Sequence, residues 1–202
     1  YNSALHNISS LLRKKNMSTV KNIAGIAATL ALAFGAQAAH AQALGGWADS
    51  ASLEFGTNPQ QRMLRVAVQN DWDQRWFARN GYHLSGYWET NLALWRLRAY
   101  QNVPGRTKNI AVVGFTPVFR YQSDSKLGLY GEIGIGVNLF SKLYKNEDKE
   151  LSTAFQFGDH IGVGYTTAKW DFGLKYQHYS NASIKSPNGG ANWIVAKAAY
   201  RF

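Results

Sequence analysis

A histidine and a serine two residues apart, His178 and Ser180, are the most chemically distinctive pair in this sequence. They continue the apolar side of a stretch, residues 170–177, in which apolar residues alternate with polar residues or glycine. Such alternation is typical of a β-strand with one apolar face. Neighbours at i and i+2 on a strand face lie about 6.5–7 Å apart, so the imidazole can reach the hydroxyl. A base beside a hydroxyl is the pairing that performs acyl transfer.

Acyl transfer also requires a group that orients the imidazole and donors that stabilise an oxyanion. The segment after Ser180 offers the side-chain amides of Asn181, Asn188 and Asn192, and a turn at Pro187–Gly190 whose backbone N–H groups can point inward. The alternative interpretation is an incidental polar pair at a membrane interface. The position of His178 and Ser180 on an apolar face favours a functional role, because a polar pair there loses solvation without stabilising the fold.

The same alternation recurs along the chain and predicts eight amphipathic strands. Their apolar rows run over residues 51–55, 64–72, 82–94, 111–121, 127–139, 155–165, 170–180 and 194–202. The opposite faces carry charges of both signs, at Glu54, Arg65, Glu89, Arg120, Glu132, Lys175 and Lys197. The pattern predicts an all-β protein, an eight-stranded antiparallel transmembrane β-barrel with a polar interior and lipid outside.

A soluble barrel of the lipocalin-like type would show the same alternation with its apolar rows inside. Two features favour the membrane. Charges of both signs suit a narrow interior filled with ion pairs, because an eight-stranded barrel has no room for a channel. The chain also ends on Tyr200 and Phe202, which resembles the terminal aromatic assembly signal of bacterial outer-membrane barrels. The alternative is that Phe202 is simply the last residue of a strand.

The first 41 residues read as upstream residues, 1–16, followed by a secretory signal peptide that is cleaved from the mature chain. Basic residues at positions 13–15 and 21 precede an apolar run over residues 23–34 and a cleavage site of the A-x-A type at 39–41. The mature chain would begin near Gln42 or Leu44 and form one domain, residues 42–202, with Met17 as the start codon. The absence of cysteine excludes disulfides, thiol catalysis and cysteine-based zinc sites, and suits export.

The net charge indicates an anionic partner. Residues 1–41 hold four of the 22 Lys and Arg residues and none of the 12 Asp and Glu residues, so the rest of the chain carries about +6. Nucleic acid is not an expected partner of an exported chain, so the preferred anionic partner is lipid phosphate. With the odd-numbered strands running outward, four connections face outside, at residues 57–63, 97–109, 141–152 and 181–192. They carry the basic residues Arg98, Arg106, Lys108, Lys142, Lys145, Lys149 and Lys185. These residues predict a basic rim facing lipopolysaccharide, the alternative being solvated loop charges.

The segment HYSNASIKSPNGGAN, which begins at His178, resembles the PagL-type lipid A 3-O-deacylases of the Gram-negative outer membrane. The upstream GEIGIGVNLFS and the DWD of residues 71–73 add to this resemblance, which covers most of residues 47–202. It implies an eight-stranded barrel with a Ser-His-Glu triad on its outer surface, at the outer leaflet. It also implies hydrolysis of the ester-linked acyl chain at position 3 of lipid A, with lipopolysaccharide as substrate and no metal or cofactor, and it leaves a homodimer open.

Carried over residue by residue, the resemblance implies that His178 is the general base and Ser180 the nucleophile. Asn188 and the backbone around Ser183 match the oxyanion donors. The family's acidic residue falls on Asn192, and no Asp or Glu follows Asp171. An asparagine can orient a histidine but cannot stabilise the imidazolium by charge, and in a serine protease this change costs about 10⁴ in kcat.

Asp159 is a candidate substitute for the missing acid. A register set by the turn at residues 166–169 places Asp159 opposite Tyr176 and diagonal to His178, on the same face. The sequence favours the other interpretation, in which Asp159 sits at a bulge and turns inward to a basic side chain. An alternative function therefore stays open, a catalytically weak or inactive barrel with a structural or adhesion role.

Overall fold

The computed structural model describes residues 46–202, which form strands and connecting turns. The strands are β1 (Ser50–Asn58), β2 (Gln61–Asp71), β3 (Trp76–Arg79), β4 (Tyr82–Leu97), β5 (Lys108–Ser123), β6 (Gly128–Phe140), β7 (Tyr144–Asn146), β8 (Lys149–Leu151), β9 (Phe155–Thr166), β10 (Trp170–Ser180) and β11 (Ala191–Arg201). Over this range no helix has the length and apolar character needed to cross a membrane. The predicted upstream residues and signal peptide, residues 1–41, and the predicted start of the mature chain lie outside the described residues and remain predictions.

Eight of these strands close into an antiparallel barrel. The order β2-β1-β11-β10-β9-β6-β5-β4 is completed by pairing of β2 with β4. β3 lies along one end of β4, and β7 and β8 form a separate hairpin. Closure satisfies the backbone groups of every barrel strand, which is the condition for strands to cross a bilayer. The predicted eight-stranded barrel is confirmed.

The connections at the outer end, the end that carries residues 181–190, differ in detail from those predicted. β1 and β2 stay paired up to Asn58 and Gln61, so the predicted connection at residues 57–63 shrinks to the two-residue turn Pro59–Gln60. The predicted loop at residues 141–152 holds the β7–β8 hairpin. The β7–β8 hairpin does not show in the alternation, because each of its strands is only three residues long.

The outward rows of the barrel are apolar and exposed. Leu129 is 74% exposed, Ile135 67% and Ile161 62%. All three lie in long barrel strands. An apolar surface of this kind around a whole barrel belongs against lipid, because soluble proteins rarely expose large contiguous apolar patches. The lipocalin-like alternative, with its apolar rows inside, is therefore wrong.

The predicted network of buried ion pairs occupies one half of the interior, the half away from residues 181–190. The pairs are Arg65–Glu54, Lys175–Glu54, Arg120–Glu132, Arg120–Asp171 and Lys197–Asp171. Lys175 and Glu54 are fully buried and lie 2.9 Å apart. A buried charge that loses its partner costs about 3–5 kcal/mol, so these charges are tolerated inside only as pairs.

The outer half of the interior is filled by an aromatic plug that the alternation did not reveal. The ring of Trp95 lies 4.8 Å from that of Tyr179 and 4.7 Å from that of Trp193, centroid to centroid. Tyr179 stands between His178 and Ser180, and Trp193 follows Asn192. The side chains that point inward beside the candidate site are therefore held in a packed core, which fixes the backbone of β10 and β11.

The closed barrel predicts a heat-modifiable protein. The mature chain should require detergent for extraction and should migrate faster on a denaturing gel when unheated than when boiled. The reason is that a barrel with all strands paired resists unfolding by detergent alone. Electrophoresis of heated and unheated samples checks this. Recovery of a monomer that stays soluble without detergent would contradict the membrane assignment.

Candidate active site

The central contact of the site joins His178 and Asn192, which are directly paired across β10 and β11. Nδ1 of His178 lies 2.5 Å from Oδ1 of Asn192, and both side chains are half-buried. Because an amide oxygen can only accept a hydrogen bond, Nδ1 carries the hydrogen and Nε2 is left free to act as a base. The hydrogen bond to Asn192 thus fixes the orientation of the imidazole.

Ser180 lies two residues beyond His178 on the same outward row, and its side chain is half-buried. It ends β10, at the boundary between the lipid-facing strand and the loop. Among residues 46–202, the hydrogen bonds of His178 do not include one to Ser180. Nucleophile–base contacts are often long in an unliganded enzyme and tighten when substrate binds. The fold therefore provides the position of His178 and Ser180, two residues apart on one face of β10, and not a formed hydrogen bond between them.

The structure corrects the predicted place of Asp159. β9 and β10 pair Asp159 directly with His178 and Tyr176 with Ile161, in an uninterrupted register. Asp159 is half-buried on the outward row, so the favoured prediction of a bulge that turns it inward is wrong. The turn after β9, closed by a 2.7 Å bond from Thr167 N to Trp170 O, moves the register by two residues from the predicted one.

A shift of two residues preserves which face each side chain occupies. It therefore brings a carboxylate opposite the imidazole without moving it off the lipid-facing row. In the described part of the chain the Asp159 carboxylate takes part in no hydrogen bond or ion pair, and its backbone oxygen accepts from Gln177 at 3.2 Å. The bond that orients the imidazole goes to Asn192 rather than to Asp159.

Asn188 is positioned as an amide donor. Its Oδ1 accepts a hydrogen bond from the backbone N–H of Asn181 at 2.9 Å, which fixes the amide so that Nδ2 points away from that contact. Within residues 46–202, Nδ2 donates no hydrogen bond, so it is available to an oxyanion. Ala182 and Ser183 have φ of +51° and +63°, so the chain turns sharply just after Ser180.

The loop that carries Asn188 is tied to β8. Asn181 is fully buried, and its Nδ2 donates to Lys185 O at 2.7 Å. Gly189 N donates to Glu150 O at 2.8 Å, and Ser152 N donates to Pro187 O at 3.1 Å. These bonds hold the loop, and with it the amide of Asn188, in one orientation, which is what an oxyanion donor requires.

Two positioning residues were missed by the sequence analysis. A Cβ on Gly190, whose φ is +68°, would lie 2.7 Å from Cε1 of His178, so only glycine leaves room for the imidazole there. The double glycine of the PNGG segment was a usable signal for this role. Asn58 donates from Nδ2 to Asn192 O at 2.8 Å, and since the two residues are 134 positions apart, no local pattern could have shown it.

The predicted basic residues all lie at the outer end, but they are not equivalent. Lys145 pairs with Glu150 at 3.1 Å, so its charge is already balanced. Arg106 and Lys108 flank the ring of Tyr100, at 5.7 and 5.4 Å from its centroid. Among residues 46–202, no group of three or more His, Cys, Asp or Glu side chains is arranged to hold a metal ion.

The chain is similar to known proteins of one family. A family model described as "Lipid A 3-O-deacylase (PagL)" matches residues 62–201. The chain is 32% identical to the lipid A deacylase PagL of Pseudomonas aeruginosa over 145 residues, which cover 71% of this chain and 80% of that protein. It is 42% identical to the lipid A deacylase PagL of Bordetella bronchiseptica over 87 residues, 43% of this chain and about half, 47%, of that relative.

A solved structure has a similar fold. The crystal structure of the outer membrane enzyme PagL superimposes with a TM-score of 0.64 at 26% sequence identity, covering 76% of this chain and 99% of that one. The family model covers the chain from the second residue of β2 to the end of β11. The chain therefore belongs to the PagL family of outer-membrane lipid A 3-O-deacylases.

Proposed function

We propose that this protein hydrolyses the ester-linked acyl chain at position 3 of lipid A, with Ser180 as nucleophile and His178 as general base. The observation that carries the proposal is the hydrogen bond from His178 to Asn192 on the lipid-facing row beside Ser180. Ser180 ends β10 at the outer end of the barrel, and this position supports a substrate whose ester lies between an acyl chain and a sugar headgroup. Membership of the deacylase family supports the same reaction.

The proposed mechanism uses one base twice. Nε2 of His178 takes the proton of Ser180 Oγ as Oγ attacks the ester carbonyl carbon, and Nδ2 of Asn188 donates to the oxyanion. Collapse breaks the bond to the sugar oxygen, which takes the proton from the imidazolium, and leaves the acyl group on Ser180. Water then attacks the acyl-enzyme and gives its proton to Nε2, and collapse breaks the bond to Ser180 Oγ, which takes that proton back as the fatty acid leaves.

Asn192 leaves the imidazolium without a charge partner in this mechanism. We therefore expect Asn192→Glu to raise the rate of deacylation about tenfold or more, which corresponds to about 1.4 kcal/mol of transition-state stabilisation. The added carboxylate lies near the headgroup boundary, so the folding cost is smaller than at the bilayer centre. Initial rates on lipid A in detergent micelles measure the effect.

Asn192→Gln is the matched control, because it has the length of glutamate without the charge and should not accelerate the reaction. Asp159→Asn tests the other acid, which lies opposite the imidazole. An unchanged rate in Asn192→Glu together with a lost rate in Asp159→Asn would transfer the orienting role to β9 and contradict the assignment of Asn192.

A second candidate function, a barrel with weak or no catalysis and a structural or adhesion role, is favoured by one observation, the asparagine at the place of the family's acid. Mass spectrometry of lipid A from cells that express the wild type or Ser180→Ala separates the two. Loss of the 3-linked acyl chain in wild-type cells alone supports the deacylase, whereas identical lipid A in both supports the structural role.

A further inference from the structure

A polar pocket of about 300 Å³ lies beside the candidate active site, at the outer end of the barrel. The ladder between β1 and β11 ends at the pair Thr57 and Ile194, and the pocket lies beyond this pair. The turn between β1 and β2, the β7–β8 hairpin and the start of β11 form its walls. Its lining residues include Asn58, Gln60, Asn146, Glu147, Lys149 and Asn192. This pocket is called the rim pocket below.

Asn192 belongs both to the candidate active site and to the rim pocket. Its Oδ1 lies 2.5 Å from Nδ1 of His178, and its Nδ2 makes no hydrogen bond within residues 46–202. Since β11 lies between β10 and β1, the rim pocket begins on the strand next to His178. It extends over about two strand spacings, about 10 Å. A group attached to an ester at Ser180 is therefore within reach of the pocket.

The walls of the rim pocket are held in place by the fold. Tyr144 and Leu151 of the hairpin are buried in the aromatic and aliphatic core. Nε2 of Gln61 donates to the hydroxyl of Tyr144 at 3.1 Å, and Nδ2 of Asn146 donates to Gln60 O at 3.4 Å. These contacts fasten the hairpin to the turn between β1 and β2. The pocket is therefore present before a ligand binds, which lowers the cost of ordering it.

Three side chains of the rim pocket offer free polar groups. In the described part of the chain, the side chains of Gln60, Glu147 and Lys149 form no hydrogen bond and no salt bridge. Glu147 and Lys149 are exposed, and Gln60 is half-buried. An amide, a carboxylate and an ammonium group together supply donors and acceptors. This mixture fits sugar hydroxyls, which donate and accept, better than a phosphate, which the carboxylate would repel.

The surface on the other side of the site indicates which half of an ester lies at the rim pocket. The outward pair next to His178 and Asn192, away from the outer end, is Tyr176 with Ile194. Both of these side chains are exposed, and they belong to the surface that contacts lipid chains in a transmembrane barrel. An acyl chain on an ester at Ser180 extends over this surface. The alcohol half of the same ester then lies toward the outer end, where the rim pocket is.

We propose that the rim pocket binds a sugar of the lipid headgroup whose ester lies at Ser180, through hydrogen bonds to Gln60, Glu147 and Lys149. This inference rests on the proposed function, because it treats the pocket as part of the substrate site. The sugar contacts do not change while the acyl group is transferred. They therefore stabilise bound substrate and transition state equally, and they determine KM rather than kcat.

The test compares two substrates with one double variant, Gln60→Ala with Glu147→Gly. Glycine suits the φ of +60° at Glu147. The substrates are lipid A and the p-nitrophenyl ester of the same fatty acid, which has no sugar, both in detergent micelles. On lipid A we expect KM to rise about tenfold, because two hydrogen bonds are lost, with kcat unchanged. On the p-nitrophenyl ester the variant and the wild type should have the same KM. Unchanged KM on lipid A, or an equal rise on both substrates, would overturn the proposal.

Glu147→Gly alone distinguishes a sugar from a phosphate in the rim pocket. Loss of the carboxylate removes an acceptor for sugar hydroxyls, so KM on lipid A should rise. A phosphate would instead bind more tightly without the carboxylate, and a fall in KM would reject the sugar. Asp148→Ala is the matched control, because it removes the neighbouring exposed carboxylate of the same turn, which does not line the pocket. Its KM should match that of the wild type, and a rise equal to that of Glu147→Gly would show a general charge effect and contradict the proposal.

Binding separates this proposal from the proposed function. In the Ser180→Ala background, the double variant should bind lipid A about tenfold more weakly than the unaltered pocket does, and both should bind the p-nitrophenyl ester equally. Equal affinities for lipid A would reject the rim pocket as a sugar site. If the wild type releases no fatty acid from lipid A, the proposed function fails, while these titrations still decide whether the rim pocket binds the headgroup.

Discussion

Ser180→Ala and His178→Ala are each expected to lower the rate of deacylation by about 10³-fold or more, with the barrel intact. In the proposed mechanism the hydroxyl supplies the atom that forms the acyl-enzyme, and the imidazole, whose Nε2 is free, takes the hydroxyl proton. Because nucleophile and base act as one unit, the double variant should be no slower than either single variant. Initial rates on lipid A measure all three.

The controls separate chemistry from folding. Both variants should keep the heat-dependent mobility of the wild type, since both side chains lie on the outer surface rather than in the core. Ser125→Ala, at the opposite end of the barrel, removes a serine hydroxyl from an exposed turn and should leave the rate unchanged. Normal activity in Ser180→Ala or in His178→Ala would remove that residue from the mechanism.

Asn188→Ala is expected to lower kcat by about 10²-fold, the usual effect of deleting one oxyanion donor. The effect should fall on kcat more than on KM, because the donor meets full negative charge only in the tetrahedral intermediate. Single-turnover measurement of acyl release resolves this step from product release.

Asn188→Asp distinguishes donation from loop support. It retains an oxygen that can accept from the backbone N–H of Asn181, but it replaces the Nδ2 donor with a second, negatively charged oxygen. We therefore expect it to be at least as slow as Asn188→Ala. Activity restored by aspartate would show that the amide serves only to hold the loop, and the oxyanion would then belong to backbone N–H groups near Ser183.

Local periodicity determined the strands and the face of each side chain. Alternation depends only on the two-residue repeat of an extended chain, so it identified eight barrel strands, their apolar outward rows and the charged interior row that includes Glu54 and Lys175. The pairing of His178 with Ser180 is equally local, because i and i+2 share a face in any strand. Alternation also separates the charged face of each strand from its apolar face, and the charges of both signs indicated that the apolar face contacts lipid.

Register was decided by the tertiary structure. Alternation is unchanged by a shift of two residues, so it could not tell whether Asp159 faces Tyr176 or His178. The turn at residues 167–170 sets the register in which Asp159 faces His178. Cross-strand pairing likewise brought Asn192 to the imidazole and Asn58 to the backbone of Asn192.

Packing was also beyond the reach of the sequence pattern. The alternation indicates which side chains point inward, but not that Trp95 and its aromatic neighbours fill the outer half of the interior. It could not show that Gly190 makes room for the imidazole, or that Arg62 and Arg96 meet on adjacent strands. Each of these contacts joins residues that are distant in the chain or on different elements, and only closure of the barrel brings them together.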